Sequence, residues 1–297
     1  LEKYCEGKFN LQKEGLALRP EGTASVVRSF IENKLYADAQ PTKLFYTGSN
    51  FRNERPQAGR FREFTQFGIE ALGSTDPFTD AEVIALAMEV INAHGITNHK
   101  CFINSIGCPE CRPAFTEALK EFLGEKKDEL CHDCQSRFDK NPLRILDCKV
   151  PEDQELIKGH PVMLDHLCDS CKDHFEKVKA ALTALDVPYE VDPGIVRGLD
   201  YYRMTAFEIK DDRLGAQSTI CGGGRYDGLV EQLGGPSTPG IGFGMGMDRL
   251  LIAKDLEEDV ETTRDRGMLI VAMGDKEKEE AIKLISKLRK EGHLVEL

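Results

Sequence analysis

The stretch FRNERPQAGRFREFTQFGIE, residues 51–70, determines how the whole chain is interpreted. It carries four arginines in a chain whose formal net charge is -12: Arg52, Arg55, Arg60 and Arg62. The segment PQAG consists of turn formers, and KLFYTGSNFRNE before it and RFREFTQFGIEALG after it have the character of strands. We therefore predict a long antiparallel hairpin that presents arginine to an anion, because guanidinium groups bind phosphate and carboxylate oxygens directionally.

Alternation of side chains along each strand assigns the hairpin residues to two faces. Arg52 and Glu54 share a face of the first strand, and one face of the second strand carries Phe64, Gln66, Gly68 and Glu70. Such a row could simply be the solvated face of an amphipathic hairpin. An aromatic ring among the polar groups and the use of arginine rather than lysine favour a binding face.

A second stretch, GIGFGMGMDRL, residues 240–250, has glycine at every other position. The glycines alternate within a strand, whereas a dinucleotide-binding fingerprint places them at a strand-to-helix turn. A face without side chains allows a flat ligand or another backbone to approach closely. Packing of a helix across the bare strand is the alternative. Arg249 follows where a helix begins.

Composition limits the possible classes of protein. The chain has 297 residues, 40% hydrophobic and 30% charged, which is typical of a folded protein of about two domains. A pI near 5.2 argues against general adhesion to nucleic acid but allows a local basic face. Since there is no apolar run of about 20 residues and no signal-peptide core at the start, we expect a cytoplasmic protein without a membrane span.

Changes in composition along the chain predict its organisation. Residues 107–186 are rich in helix formers, cysteine and charge, and we interpret them as a helical insertion. The acidic linker LEEDVETTRDR precedes a strand–helix–strand pattern over 267–297, which stops before it would close a core. We assign residues 1–262 to the first domain and residues 267–297 to the second.

Seven of the ten cysteines lie between positions 108 and 171 and include three C-x-x-C pairs. The spacing of CPEC and CHDC fits a structural zinc held by Cys108, Cys111, Cys131 and Cys134. The third pair leaves the ligand set open. The alternative is that these are free thiols packed as small hydrophobes.

Several of these stretches resemble a known family. FRNERPQ with FREFTQFGIE resembles motif 2 of class II aminoacyl-tRNA synthetases, and GIGFGMGMDRLL resembles motif 3. LRPEGT, RGLDYY and GGGRYDGLV are similar to signatures of the histidyl-tRNA synthetase family, and the resemblance runs from Leu18 to Leu251. It implies an α+β fold, with a class II antiparallel sheet flanked by helices, a helical insertion, and the first part of a C-terminal α/β anticodon-binding domain.

The chain departs from the family pattern at both ends. Only 17 residues precede Leu18, where the family has a longer segment that contains the dimer-interface motif 1. The C-terminal domain is cut short. Homodimerisation is therefore implied by the family alone.

The resemblance implies a two-step ligase reaction. The carboxylate of histidine attacks the α-phosphate of ATP, with Mg²⁺ accompanying the nucleotide, to form histidyl-adenylate and release pyrophosphate. The histidyl group then passes to the 3' end of tRNA(His), and AMP leaves. The catalytic residues would be Arg52 and Arg197, both at the α-phosphate. Adenine would lie between Phe64 and Arg249 above the four glycines, and the full set implied to bind ATP is Arg52, Glu54, Arg60, Phe64 and Arg249.

A second implied set binds histidine: Glu21, Thr23, Gln66, Glu70, Arg197, Tyr201, Tyr202 and Tyr226. The main rival function is that of the synthetase-like regulatory subunit of ATP phosphoribosyltransferase, which uses the same fold without aminoacylation. Retention of Arg52, Arg197 and Arg249 favours the enzyme.

Overall fold

A computed structural model describes residues 17–53, 59–146, 148, 150–195, 201–257 and 267–296. The chain divides after Glu257 into two compact units. Among the described residues, no helix combines the length and apolar character needed to cross a bilayer.

The first unit is built on a seven-stranded sheet with the order β1-β2-β7-β6-β5-β3-β4. All neighbouring pairs are antiparallel except β3 and β4. The strands are β1 (Thr42–Phe51), β2 (Glu63–Leu72), β3 (Lys100–Ser105), β4 (Glu190–Val191), β5 (Arg203–Lys210), β6 (Thr219–Arg225) and β7 (Gly240–Gly246).

The helices of the first unit lie between these strands or flank them. In chain order they are α1 (Thr23–Glu32), α2 (Pro77–Ala93), α3 (Arg112–Gly124), α4 (His132–Lys140), α5 (Pro151–Leu156), α6 (Asp169–Ala184), α7 (Leu229–Gln232) and α8 (Met247–Glu257). Helix α2 begins where the side chain of Asp76 accepts a hydrogen bond from the amide of Phe78, with Pro77 in its first turn.

The predicted hairpin is confirmed, because β1 and β2 pair antiparallel from Thr42 opposite Leu72 to Phe51 opposite Glu63. The glycine stretch is the next strand of the sheet, with Gly246 opposite Gln66 and Gly242 opposite Glu70. The two stretches that carry the predicted binding residues are therefore neighbouring strands. A sheet of this kind agrees with the α+β class.

The main core lies between the sheet and the helices α2 and α6, each of which buries several apolar side chains against it. It includes Ile84, Ile91 and Val178 with Phe207 and Phe243 of the sheet. A buried carboxylate connects these layers. Asp80 of α2 accepts hydrogen bonds from Thr205 of β5 and from the guanidinium of Arg225 on β6, and it lies 2.8 Å from His174 Nε2 on α6.

Between Gly107 and Asp186, the described residues form only helices, 3₁₀ turns and connections. Helices α3 to α5 enclose an apolar cluster of their own, which contains Phe115, Leu119, Leu123 and Ile145 beside several cysteines. Helix α6, at the end of this segment, contributes Cys171 near its start to this cluster and packs with Phe175, Val178, Ala181 and Leu182 in the main core.

The second unit contains two short parallel strands, β8 (Met268–Leu269) and β9 (Val295–Glu296), joined by α9 (Asp275–Lys290). Ala281 and Ile285 are buried on one side of α9. The unit is thus a β–α–β arrangement, as the strand–helix–strand pattern predicts.

Candidate active site

A pocket of about 270 Å³ opens over the face shared by β2, β7 and β6. It is lined by residues from six separate stretches of the sequence: Glu21, Thr23, Tyr46, Arg52, Phe64, Gln66, Tyr201, Tyr202, Thr219, Gly222, Gly244, Gly246 and Arg249. Two cations, one carboxylate, several hydroxyl groups and an aromatic ring thus face the same space.

Arg52 stands at the end of β1, at the mouth of this pocket. Its Nε donates to the carbonyl of Phe61 over 3.1 Å, and its guanidinium carbon lies 3.9 Å from the centre of the Phe64 ring. A delocalised cation over an aromatic face is a favourable arrangement. Both side chains are therefore held at one wall of the pocket.

Arg249 occupies the first turn of α8, directly after β7 ends. Its Nε donates to the carbonyl of Gly59 over 2.9 Å, and its Nη1 donates to the carbonyl of Thr219 over 2.6 Å. Because these bonds fix the plane of the guanidinium group, Arg249 presents a rigid, flat cation to the pocket.

The alternating glycines of β7 serve two purposes that depend on position. Side chains at Gly240 and Gly242 would collide with the Tyr226 ring and with the Glu70 carboxylate, respectively, so these glycines make room for protein groups. Only Gly244 and Gly246 of this strand line the pocket. The expectation that four glycines lie under a ligand is therefore corrected to two, because the others are covered by side chains of neighbouring segments.

Glu70 and Tyr226 form a buried pair behind the pocket. The Tyr226 hydroxyl donates to Glu70 Oε2, and the two side chains are 1% exposed. Burial raises the pKa of Glu70 to about 8, although hydrogen bonds from Tyr226 and Thr23 partly oppose the shift. Desolvation also raises the pKa of Tyr226, so the phenol remains a donor.

A cluster of tyrosines forms the inner wall. The rings of Tyr201 and Tyr202 are 4.8 Å apart, and those of Tyr201 and Tyr226 are 6.0 Å apart. Arg112, at the start of α3, donates to the backbone carbonyl of Tyr202. The helical segment thus holds this wall from outside.

Tyr46 lines the pocket but is not among the predicted residues. Its ring fills the space between Gly22 and Gly68, where any side chain would collide with it, and Gly68 is its partner in the β1–β2 register. Burial raises the pKa of its phenol. The alternation of side chains along β1 could have identified Tyr46, because it puts Tyr46 on the same face as Arg52.

Glu21 has a structural contact as well as a place in the pocket. Its carboxylate accepts the amides of Thr23 over 2.7 Å and Ala24 over 3.0 Å, so it caps the first turn of α1. A carboxylate is favourable at this helix end. The cap fixes the position of the negative charge at the pocket.

The structure brings together most of the predicted residues. Eight of them line the pocket: Glu21, Thr23, Arg52, Phe64, Gln66, Tyr201, Tyr202 and Arg249. Glu70 and Tyr226 lie behind the lining, and Arg60 is not one of the lining residues. Glu54 and Arg197 fall outside the described residues.

Comparison with known proteins agrees with this geometry. The sequence profile of histidyl-tRNA synthetase matches residues 8–250. The histidine–tRNA ligase of Desulfitobacterium hafniense is 53% identical over 278 residues, which cover 93% of this chain and 66% of that protein. The chain belongs to the histidyl-tRNA synthetase family.

Solved structures of this family share the fold. Apo histidyl-tRNA synthetase of S. aureus superposes with a TM-score of 0.68 at 39% identity, over 99% of this chain and 73% of the other. A protein from Bacillus halodurans C described as an ATP phosphoribosyltransferase regulatory subunit/histidyl-tRNA synthetase gives 0.56 at 24% identity, over 94% of this chain and 73% of that one, and indicates the fold alone. The greater likeness to the ligase does not favour the regulatory alternative.

The predicted grouping of the metal ligands in this synthetase-family chain is wrong. Cys108 and Cys111 lie with Cys168 and Cys171, whereas Cys131 and Cys134 lie with Cys148 and Asp153. All three C-x-x-C pairs have the same spacing, so spacing could not indicate which pairs meet in space. The packing of α3, α4 and α6 determines which cysteines lie together.

Proposed function

We propose that this protein activates histidine with ATP and transfers the histidyl group to tRNA(His). The proposal rests on one observation: Arg52 and Arg249 face the same pocket as the polar residues implied to bind histidine. Membership of the family supports it. The chain spans 66% of the length of the curated relative, so the activity of the whole protein is part of the proposal.

Charge neutralisation is the main task of the cations in this reaction. Attack of the histidine carboxylate on the α-phosphate brings two anions together, and no covalent protein group is needed. Arg52 would bind the α-phosphate and the carboxylate, and Arg197 would supply a second cation from the other side. Mg²⁺ would enter as the complex with ATP.

Phe64 and Arg249 would hold the adenine ring between an aromatic face and a flat cation. For this, the guanidinium of Arg52 must leave the Phe64 ring, which it covers in the structure described above. The phosphate would provide a stronger partner for that cation than a ring does. Arg60 and Glu54 would bind the γ-phosphate and the adenine amino group.

Histidine would bind among Glu21, Thr23, Gln66 and the tyrosines. A site with fixed, buried hydrogen-bonding partners rejects isosteres that leave them unpaired. Tyr202 would contact the imidazole directly. Glu70 and Tyr226 would act from behind the pocket wall, because each bonds to the other.

Several other assignments belong to this proposal. Residues 1–262 would be the catalytic domain, with an insertion at about 107–186, and residues 267–297 would begin an anticodon-binding domain. We also infer a cytoplasmic homodimer. Membership of the family supports the dimer.

Pyrophosphate exchange into ATP across a panel of amino acids tests the proposed activity. We expect exchange with histidine and not with the others, followed by charging of tRNA(His) in the second step. Exchange with a different amino acid would contradict the proposal that histidine is the substrate. Histidine binding without any exchange would support the regulatory alternative.

The Arg197→Ala variant tests the second cation. We expect a fall in histidine-dependent exchange of roughly 10²–10³-fold or more, the range for removing one group that stabilises transition-state charge. Arg28→Ala is the matched control, because Arg28 is an exposed residue of α1 that pairs with Glu32 on the surface. Exchange near the parent rate in Arg197→Ala would refute the role of Arg197.

A further inference from the structure

Seven cysteines and one aspartate of the helical segment collect in two separate groups. The first cysteine site consists of Cys108, Cys111, Cys168 and Cys171. The second cysteine site consists of Cys131, Cys134, Cys148 and Asp153. Within each group, the candidate ligand atoms all lie within 4.8 Å of one another.

The distances between sulfurs fit a single ion at each site. Cys108 Sγ is 3.6 Å from Cys111 Sγ and 3.8 Å from Cys168 Sγ, and Cys131 Sγ is 4.0 Å from Cys148 Sγ. Ligands at about 2.3 Å from a tetrahedral zinc are about 3.8 Å from each other. A cluster of several irons would require its cysteines to stand further apart, so the spacing favours one ion.

Helix ends place the thiols of each pair. Cys111, Cys131 and Cys168 are the residues that precede the first turns of α3, α4 and α6. The positive end of a helix stabilises a thiolate, which is the form that binds metal. The amide of Cys168 also donates to Cys111 Sγ over 3.1 Å, a contact of the kind that orients a metal ligand.

Asp153 distinguishes the second cysteine site from simple packing of thiols. Its side chain is 1% exposed, and it accepts hydrogen bonds from the Cys131 amide over 2.8 Å and from Cys148 Sγ over 3.1 Å. A carboxylate buried in an apolar cluster is costly unless it is paired or binds a metal. Thiols are weak donors, whereas a divalent cation would compensate the charge.

Bound metal ions would stabilise the fold of the helical segment. Its apolar cluster is small, and four of the buried members are cysteines: Cys111, Cys134, Cys148 and Cys171. Small units commonly obtain part of their folding free energy from a structural metal. The first cysteine site also joins the start of the segment, just after β3, to the start of α6, since Cys108 and Cys168 are 60 positions apart.

We propose that the helical segment binds two structural zinc ions, one at the first cysteine site through four thiolates and one at the second through three thiolates and the Asp153 carboxylate. Zinc is the ion that suits thiolate-rich, closed, tetrahedral sites. The proposal is independent of the aminoacylation reaction, because none of the eight residues lines the pocket.

Metal analysis of the purified chain tests both sites. The protein is produced without a polyhistidine tag in medium that contains zinc, desalted, and measured by mass spectrometry of the elements. We expect about two zinc per chain. Cys171→Ser and Cys134→Ser should each retain about one, and Cys101→Ser should retain both, because Cys101 is an equally buried cysteine of β3 outside the two sites.

A cobalt experiment does not require a cysteine variant to fold. Loading the parent protein with Co²⁺ should give the intense visible bands of tetrahedral thiolate coordination, and Asp153→Asn should weaken the binding of one of the two ions. Zinc below about a tenth of an equivalent would overturn both sites. If Cys171→Ser loses one equivalent of zinc and Cys134→Ser loses none, the second cysteine site is overturned. If Cys134→Ser loses one equivalent and Cys171→Ser loses none, the first cysteine site is overturned. Bound iron, or disulfides within the groups, would overturn the assignment of zinc.

Discussion

Glu70 shows how burial changes the chemistry of a single residue. Its position on the same face of β2 as Phe64 and Gln66 indicates a ligand-facing carboxylate. In the structure it lies instead behind the pocket, where it accepts the Tyr226 hydroxyl and its pKa is raised to about 8. The side chain is therefore protonated in the folded protein near neutral pH.

This shift predicts a pH dependence of stability. The folded pKa of about 8 lies above the unfolded value of 4.5, so the folded state holds more protons between these values, and stability falls as pH rises through that window. The slope from this group is at most about 1.4 kcal/mol per pH unit. Glu70→Gln, which mimics the protonated acid, should reduce the slope.

Urea unfolding of parent and Glu70→Gln from pH 5 to 8 measures the difference. Glu63→Gln on the exposed end of β2 is the control, and it should leave the slope unchanged. Equal slopes in the parent and Glu70→Gln would show that Glu70 titrates normally.

At Arg249 the shape of the cation matters as well as its charge. Two directed bonds, to the carbonyls of Gly59 and Thr219, hold the guanidinium group flat, and a lysine cannot make both in this geometry. We expect Arg249→Lys to reduce kcat/KM for ATP by roughly 10–100-fold, since a hydrogen bond of a charged group contributes about 1.5–3 kcal/mol. Steady-state exchange kinetics would measure it, with Arg28→Lys as control. An unchanged kcat/KM would mean that charge alone suffices.

Strand β7 separates two functions along one element. Gly240, Gly242 and Gly244 lie against protein side chains, whereas Gly246, at the end of the strand, lies against open pocket. A Cβ at Gly242 would collide with the Glu70 carboxylate and with the carbonyl of Ile69. A Cβ at Gly246 would meet no atom nearer than 3.9 Å.

The two positions should therefore respond differently to alanine. Gly242→Ala should destabilise the fold by about 1–3 kcal/mol, the cost of overpacking, with lower yield and a lower Tm. Gly246→Ala should fold with nearly the parent Tm but show a raised KM for ATP, because the new methyl group narrows the pocket. Thermal unfolding with exchange kinetics on both variants tests the contrast. A large loss of Tm in Gly246→Ala would contradict the assignment of open space.

Across the first unit, Asp80 joins the helical layer to the sheet. Its carboxylate contacts residues of α6, β5 and β6. Its partner Arg225 is fully buried and directly precedes Tyr226 in the sequence. Arg225 also lies 3.1 Å from the carboxylate of Asp227. The link therefore connects the core to the residues behind the pocket. Loss of the carboxylate would leave Arg225 buried with Asp227 as its one acidic partner among the described residues.

We expect Asp80→Asn to lower the free energy of unfolding by about 3–5 kcal/mol, the usual cost of breaking a buried ion pair. Glu82→Gln on the same helix is the control. Its exposed pair with Lys43 should contribute no more than about 1 kcal/mol. Urea unfolding measures both. Equal effects would show that the buried pair is not a major source of stability.

Local sequence patterns determined much of this protein. The turn formers between two alternating segments specify the hairpin, alternating glycine specifies β7, and helix-forming composition specifies the segment after β3. Parity placed Phe64 and Gln66 on one face of the second hairpin strand, and both line the pocket together with Arg52 from the first. These features follow from repeats of two or about four residues, which a short stretch encodes by itself.

Only the tertiary structure decided which distant groups meet. Three identical C-x-x-C spacings could not show that CPEC meets Cys168 and Cys171, or that Asp153 joins the second cysteine site. Nor could parity show that Tyr226 covers Gly240, or that Glu70 is buried deeply enough to hold a proton. Burial and the convergence of separate segments depend on how helices pack on the sheet, and no local repeat contains that information.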